Sequence, residues 1–154
     1  MESDDSLRAC ADRQQIHDAL LRYARGVDRL DEELISSAYH PDATDHRGEQ
    51  GSSGFRGADA GQTLVARLRT SCDASFHAIS NILIELNGAQ ALVESYFEVW
   101  QSKASPSGDS SLHICGRYID RFERRDAGWR IAGAMSGRDG IAVGWTASTT
   151  VDGD

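Results

Sequence analysis

The chain has 154 residues and 16.8 kDa, the size of one compact domain with room for a core and a pocket but not for a second domain beside it. Hydrophobic residues make up 40% and charged residues 26%, with a formal charge of −8; nucleic acid, which demands a cationic surface, is thereby excluded as a partner. Five of the carboxylates, Glu2, Asp4, Asp5, Asp152 and Asp154, sit at the two ends, so the body is close to neutral and suggests neither an anionic substrate nor a membrane surface.

Residues 1–7 read as a disordered acidic terminus. From about Ser6, Ile16, Leu20, Tyr23 and Val27 recur at helical spacing and predict one apolar stripe on a helix that runs to about Arg29. Asp31, Glu32 and Glu33 place acid in the first turn of a short second helix, where the dipole favours it. That helix carries Leu34, Ile35 and Ala38 and is expected to stop at His40, before Pro41. Residues 42–46 form a candidate strand. Gly48, Gly51, Gly54 and Gly57, at intervals of three, mark a mobile loop. A third helix is expected over 58–71, burying Leu64, Val65 and Leu68.

After Cys72 the pattern turns to strands over 76–86, 91–102, 112–124 and 129–137. The turns Asn87-Gly88, 105–111 and 126–128 are short, which predicts an antiparallel meander. Helices first and strands second make the fold α+β, a curved sheet wrapped around helices. Residues 138–154 are expected to be a loosely held tail.

No stretch approaches the ~20 apolar residues of a membrane span, and the acidic start is unlike a secretory signal. Cys10, Cys72 and Cys115 lack Cys-x-x-Cys spacing and read as reduced thiols of a cytoplasmic protein, without a zinc or disulfide scaffold. His40, Asp42, Asp45 and His46 invite a metal reading, but the spacing suits no familiar zinc pattern and Pro-Asp-Ala is ordinary turn chemistry. His17 is expected to face solvent. His77 opens the first long strand, where alternation puts His77, Ile79, Asn81 and Leu83 on one face; it is either a hydrogen-bonded core residue or a catalyst. His113 is expected on the outer face with Cys115 and Arg117, at a candidate dimer contact, opposite Ile114 and Tyr118. Asp28 continues the apolar stripe at a helix C-terminus, where negative charge is disfavoured, so it is either exposed or paired. Asp31 is its bland competitor. No Walker loop, nucleophile elbow or dinucleotide fingerprint is present, and no cofactor is indicated.

Residues 14–28 (QQIHDALLRYARGVD), 39–43 (YHPDA), 76–86 (FHAISNILIEL) and 117–131 (RYIDRFERRDAGWRI) together resemble a SnoaL-like domain of the nuclear transport factor 2-like superfamily. The resemblance covers about residues 8–137 and implies a cone-shaped curved antiparallel sheet with three N-terminal helices enclosing a pocket. Within that family the motifs are most similar to the cofactor-free lyases scytalone dehydratase, hexachlorocyclohexane dehydrochlorinase and bile-acid 7α-dehydratase. There an aspartate ending the first helix pairs with a histidine opening the first long strand, and Asp28 and His77 match those positions.

By the same resemblance Tyr23 is a catalytic partner. Leu68, Phe97, Val99, Ile114 and Tyr118 line the substrate pocket with Asn81, and the loop around Asp45 lies near its mouth. A supporting arginine found on the last strand of some of these enzymes is absent: the matching position is Ala134, and Arg138 lies four residues farther on. The implied function is a cofactor-independent dehydratase-like lyase acting on a small hydrophobic, polycyclic or aromatic substrate in a homodimer or homotrimer, with no metal, nucleic acid or membrane partner. An isomerase or polyketide-type cyclase using the same pair is the alternative. So is a non-catalytic ligand-binding or partner subunit, like the small subunits of ring-hydroxylating dioxygenases.

Overall fold

The apolar stripe of the first 29 residues forms one long helix, α1 (Glu2–Arg29), in a computed structural model that describes residues 2–45, 54–134 and 145–150. Ile16, Ala19, Leu20, Tyr23, Ala24 and Val27, spaced three and four apart, are all buried against the sheet. The helix extends through the segment read as disordered, with Asp4 and Asp5 near its N-terminus, where the dipole stabilises acid. At its other end Leu30 takes a left-handed conformation (φ 55°), and the Asp31 N–H donates to the Gly26 carbonyl at 2.9 Å, turning the chain sharply. Asp31 is thereby placed as N-cap of α2 (Glu32–Ser37), its carboxylate accepting from the Leu34 N–H at 2.9 Å. A Cβ at Gly26 would lie 2.7 Å from Ile35 Cγ1, so glycine there lets α1 and α2 touch.

The second helix ends earlier than the proline predicts. Tyr39 and His40 already belong to β1 (Tyr39–Asp45), followed by β2 (Phe55–Arg56), a 3-10 turn at Gly57–Asp59 and α3 (Ala60–Ser71). The long strands β3 (Ala74–Asn87), β4 (Gln90–Lys103), β5 (Ser110–Arg125) and β6 (Gly128–Ala134) make the expected antiparallel meander.

Sheet order is β2-β1-β6-β5-β4-β3, and β1 runs parallel to β6, so the sheet is mixed where a wholly antiparallel one was expected. The intervening chain makes the crossover that a parallel pair requires. Part of the tail expected to be loose is instead a strand, β7 (Trp145–Thr150), paired with residues 110–115 of β5 beyond the reach of β6. The sheet is curved and unclosed, with the helices on one face. Much of the glycine-rich loop lies outside the described residues. No described helix is long and apolar enough to cross a membrane.

A polar tie fixes α1 across the sheet. Asp12 accepts from Arg124 Nη1 at 3.0 and 3.1 Å and from the indole N–H of the fully buried Trp129 at 2.7 Å. Removing one partner of such a network leaves a buried donor unsatisfied. Asp12→Ala is expected to destabilise the fold by about 2–4 kcal/mol, read as a lower denaturation midpoint at unchanged slope.

Candidate active site

Asp28 is the penultimate residue of α1, and its side chain leaves the helix end toward the start of β3. Three donors meet it there. The His77 backbone N–H donates to Oδ2 at 3.0 Å, His77 Nδ1 lies 2.7 Å from Oδ1, and the Ser75 hydroxyl donates to Oδ1 at 3.2 Å. These bonds offset the unfavourable placement of a carboxylate at a helix C-terminus. Of the two alternatives left by the sequence, Asp28 is the paired one. The imidazole side chain is 7% exposed and the carboxylate 22%, so the contact is screened from water but not sealed.

The geometry orients the ring. Nδ1–H donates to the ionised carboxylate, leaving the Nε2 lone pair as the ring's free base position, and Nε2 has no partner among the described residues. Tyr23, one turn and a half before Asp28 on α1, stands edge-on to the His77 ring at 6.4 Å between centroids. The same tyrosine meets Tyr118 at 6.0 Å and Tyr39 at 6.2 Å, also edge-on. His77 thus stands between Tyr23 and Asp28, which share α1.

Cross-strand register supplies the apolar surroundings. His77 pairs with Val99 and Val99 with Ile114, placing the three side by side on one face of β3, β4 and β5. One row along, Phe97 is buried and stacks on Tyr118 at 4.3 Å. It lies over Gly116, where a Cβ would come within 2.6 Å of the ring. Neither Gly116 nor Ser75 is among the residues that the sequence singled out. Ser75 was in principle visible as the same-face neighbour of His77 two residues back, whereas the Phe97 contact of Gly116 appears only once β4 and β5 are in register. Gly116→Ala is expected to displace the Phe97 ring and cost about 1–3 kcal/mol, measurable as a fall in Tm.

Leu68 is buried on α3 within the main core. Asp45 is the buried last residue of β1 and accepts from the Tyr39 hydroxyl at 3.1 Å, while the loop that follows it lies outside the described residues. Asn81 does not share the face expected of it. Asn81 sits in a β-bulge with φ 47° and is exposed. The bulge, between Ser80 and Leu83, inserts one extra residue opposite Tyr96–Glu94 and inverts the alternation. Beyond it Ile82, Ile84 and Leu86 pack on the core, while Leu83 turns outward.

The remaining polar candidates are engaged separately. His40 Nε2 meets the Glu123 carbonyl at 2.8 Å, and Asp42 pairs with Arg125 at 2.6 Å. The hydrogen bond from that guanidinium holds the Asp42 carboxyl below the usual carboxylate range. His46 and Arg138 lie outside the described residues, and the backbone of Ala134 pairs with Asp45 and Asp120. His17 is half-exposed beside Asp18. His113 lies on the outer face, stacked on Trp100.

Residues 8–135 match a family model described as a SnoaL-like domain. Among solved structures the chain is similar to the hexachlorocyclohexane dehydrochlorinase LinA-type3 of Novosphingobium barchaimii, at 22% identity and a TM-score of 0.72, covering 97% of this chain and 96% of that one. It is similar also to a protein of Novosphingobium aromaticivorans provisionally assigned as a scytalone dehydratase (19% identity, TM-score 0.68, 99% and 93% covered). A third is the Kfla4162 protein of Kribbella flavida, at 20% identity and a TM-score of 0.73, with 82% and 89% covered. No curated protein matches the chain.

Proposed function

The chain belongs to the SnoaL-like domain family, and on that premise we propose that it is a cofactor-independent lyase of the dehydratase type in which Asp28 and His77 abstract a proton from carbon. The observation that carries the reading is the 2.7 Å contact between His77 Nδ1 and Asp28 Oδ1, reinforced by the bond from the His77 backbone N–H to the other carboxylate oxygen. Together they pin the ring and direct its basic Nε2 away from Asp28.

In the proposed reaction Nε2 takes a proton from a carbon acidified by an adjacent carbonyl or aromatic ring. The electron pair of that C–H bond forms a C=C bond as the neighbouring C–O bond breaks. The departing hydroxide takes a proton from the imidazolium or from the Tyr23 hydroxyl and leaves as water. Asp28 stabilises the imidazolium that forms, which is where the pair favours the transition state over the ground state. Val99, Ile114, Phe97 and Tyr118 present an apolar and aromatic surface beside the ring, which favours a neutral, aromatic or polycyclic substrate.

The test is turnover of a panel of bicyclic and tricyclic aromatic alcohols bearing a carbonyl β to the hydroxyl, followed by the absorbance of the conjugated product. The expected result is product and one equivalent of water from at least one compound, abolished in His77→Ala. Carbon–deuterium exchange in D2O without loss of water would support an isomerase or cyclase that uses the same base. Ligand binding with neither exchange nor elimination would overturn catalysis and leave a binding domain.

A further inference from the structure

The outer face of the sheet carries a second cluster that the proposed lyase chemistry does not use. Glu98 on β4 and Cys115 on β5 are direct cross-strand partners, and His113 lies two residues before Cys115 on the same face. His113 Nε2 lies 2.8 Å from Glu98 Oε1 and 3.4 Å from Cys115 Sγ. The three donor atoms all fall within 4.8 Å of one another.

Both neighbours face the same ring nitrogen. A nucleophile–base–acid relay would need the carboxylate on one imidazole nitrogen and the thiol on the other, so this is not a hydrolytic triad. Convergence of oxygen, nitrogen and sulfur on one point is instead what a metal ion asks of its ligands. With Zn–N and Zn–O near 2.0 Å and Zn–S near 2.3 Å, tetrahedral angles separate N from S by about 3.5 Å and N from O by about 3.3 Å. The observed 3.4 and 2.8 Å need only a few tenths of an ångström of opening to admit the ion.

The surroundings hold these donors in place. Trp100 stacks flat on the His113 ring, with centroids 3.7 Å apart and planes 10° from parallel, and its indole N–H donates to Glu98 Oε1 at 3.1 Å. One side chain thus orients two of the three donors, the arrangement by which outer residues tune metal affinity. Ala78, the β3 partner of Glu98, offers only a methyl group on that side. The Glu98 side chain is 48% exposed and that of His113 28%, so an ion can enter from solvent.

We propose that Glu98, His113 and Cys115 form a binding site for a zinc-type divalent transition metal, with a fourth position open to water. Thiolate, imidazole and carboxylate together select zinc over magnesium or calcium, which prefer oxygen alone. Binding displaces the thiol proton and cross-links β4 to β5 on the face opposite His77.

The test is titration of the chelator-dialysed full-length protein with Co²⁺ as a spectroscopic probe and with Zn²⁺ by calorimetry. One Co²⁺ per chain should bind with an intense thiolate-to-metal charge-transfer band and tetrahedral d–d bands, and Zn²⁺ should displace it. Cys115→Ser is expected to abolish the charge-transfer band, and His113→Ala to weaken Zn²⁺ binding on the order of 10²-fold. Glu98→Gln should weaken it by about tenfold. Circular dichroism confirms that each variant is folded. No stoichiometric binding, an octahedral spectrum without a thiolate band, or binding unchanged in folded Cys115→Ser would overturn the site. None of these readouts depends on enzymatic turnover.

Discussion

His77→Ala is expected to lower kcat/KM on order of 10²–10⁴-fold while leaving the fold intact. The imidazole is the proposed base, and its removal deletes the nitrogen that takes the substrate proton in that proposal. The backbone N–H of residue 77 and the Ser75 hydroxyl remain in the variant, so two of the three bonds from β3 to Asp28 survive and stability should change little. The check is steady-state kinetics beside thermal denaturation. The loss should fall on kcat, because a base acts on the transition state more than on bound substrate. Turnover equal to that of the unaltered protein, in a variant with unchanged Tm, would remove the imidazole from the mechanism.

Asp28→Asn is expected to cost a comparable factor, about 10²–10⁴, for a different reason. The carboxylate accepts from three donors, the His77 backbone N–H, His77 Nδ1 and the Ser75 hydroxyl. An asparagine offers one acceptor oxygen and one NH2. With the oxygen on the backbone N–H, the NH2 faces Nδ1 and favours the opposite tautomer, which puts the ring proton on Nε2 where the lone pair is needed. The variant also loses the charge that stabilises the imidazolium. Because the two side chains act as one unit, the double variant should be scarcely slower than the worse single one. Fully additive losses in that cycle would show that Asp28 acts independently of His77. Ser75→Ala leaves the carboxylate and both His77 bonds in place, so its kcat should fall less than tenfold.

Several parts of this arrangement are legible along the chain because they depend on local periodicity. The α1 stripe, the helix-then-strand order and the turn at Asn87-Gly88 follow from spacing and turn chemistry alone. Asp28 and His77 were reachable through family motifs, while residue chemistry by itself left each with an inert alternative. Asn81 and Leu83 went astray because a single inserted residue reverses strand phase, and no residue type at 80–83 announces it. The strand at Asp45 was legible, but its burial and its bond from the Tyr39 hydroxyl follow from the place of β1 beside β6.

What the chain determined by itself is the three helices, the strands β1 and β3 to β6 and their order, since these follow from intervals of two, three and four residues. Only the tertiary structure decided which distant residues meet: Asp28 with Ser75 and His77, Phe97 over Gly116, and Glu98 with His113 and Cys115. The physical reason is that strand register and the approach of a helix end to a sheet are set by cooperative packing of many side chains. A shift of one residue in that packing exchanges every inward side chain for an outward one.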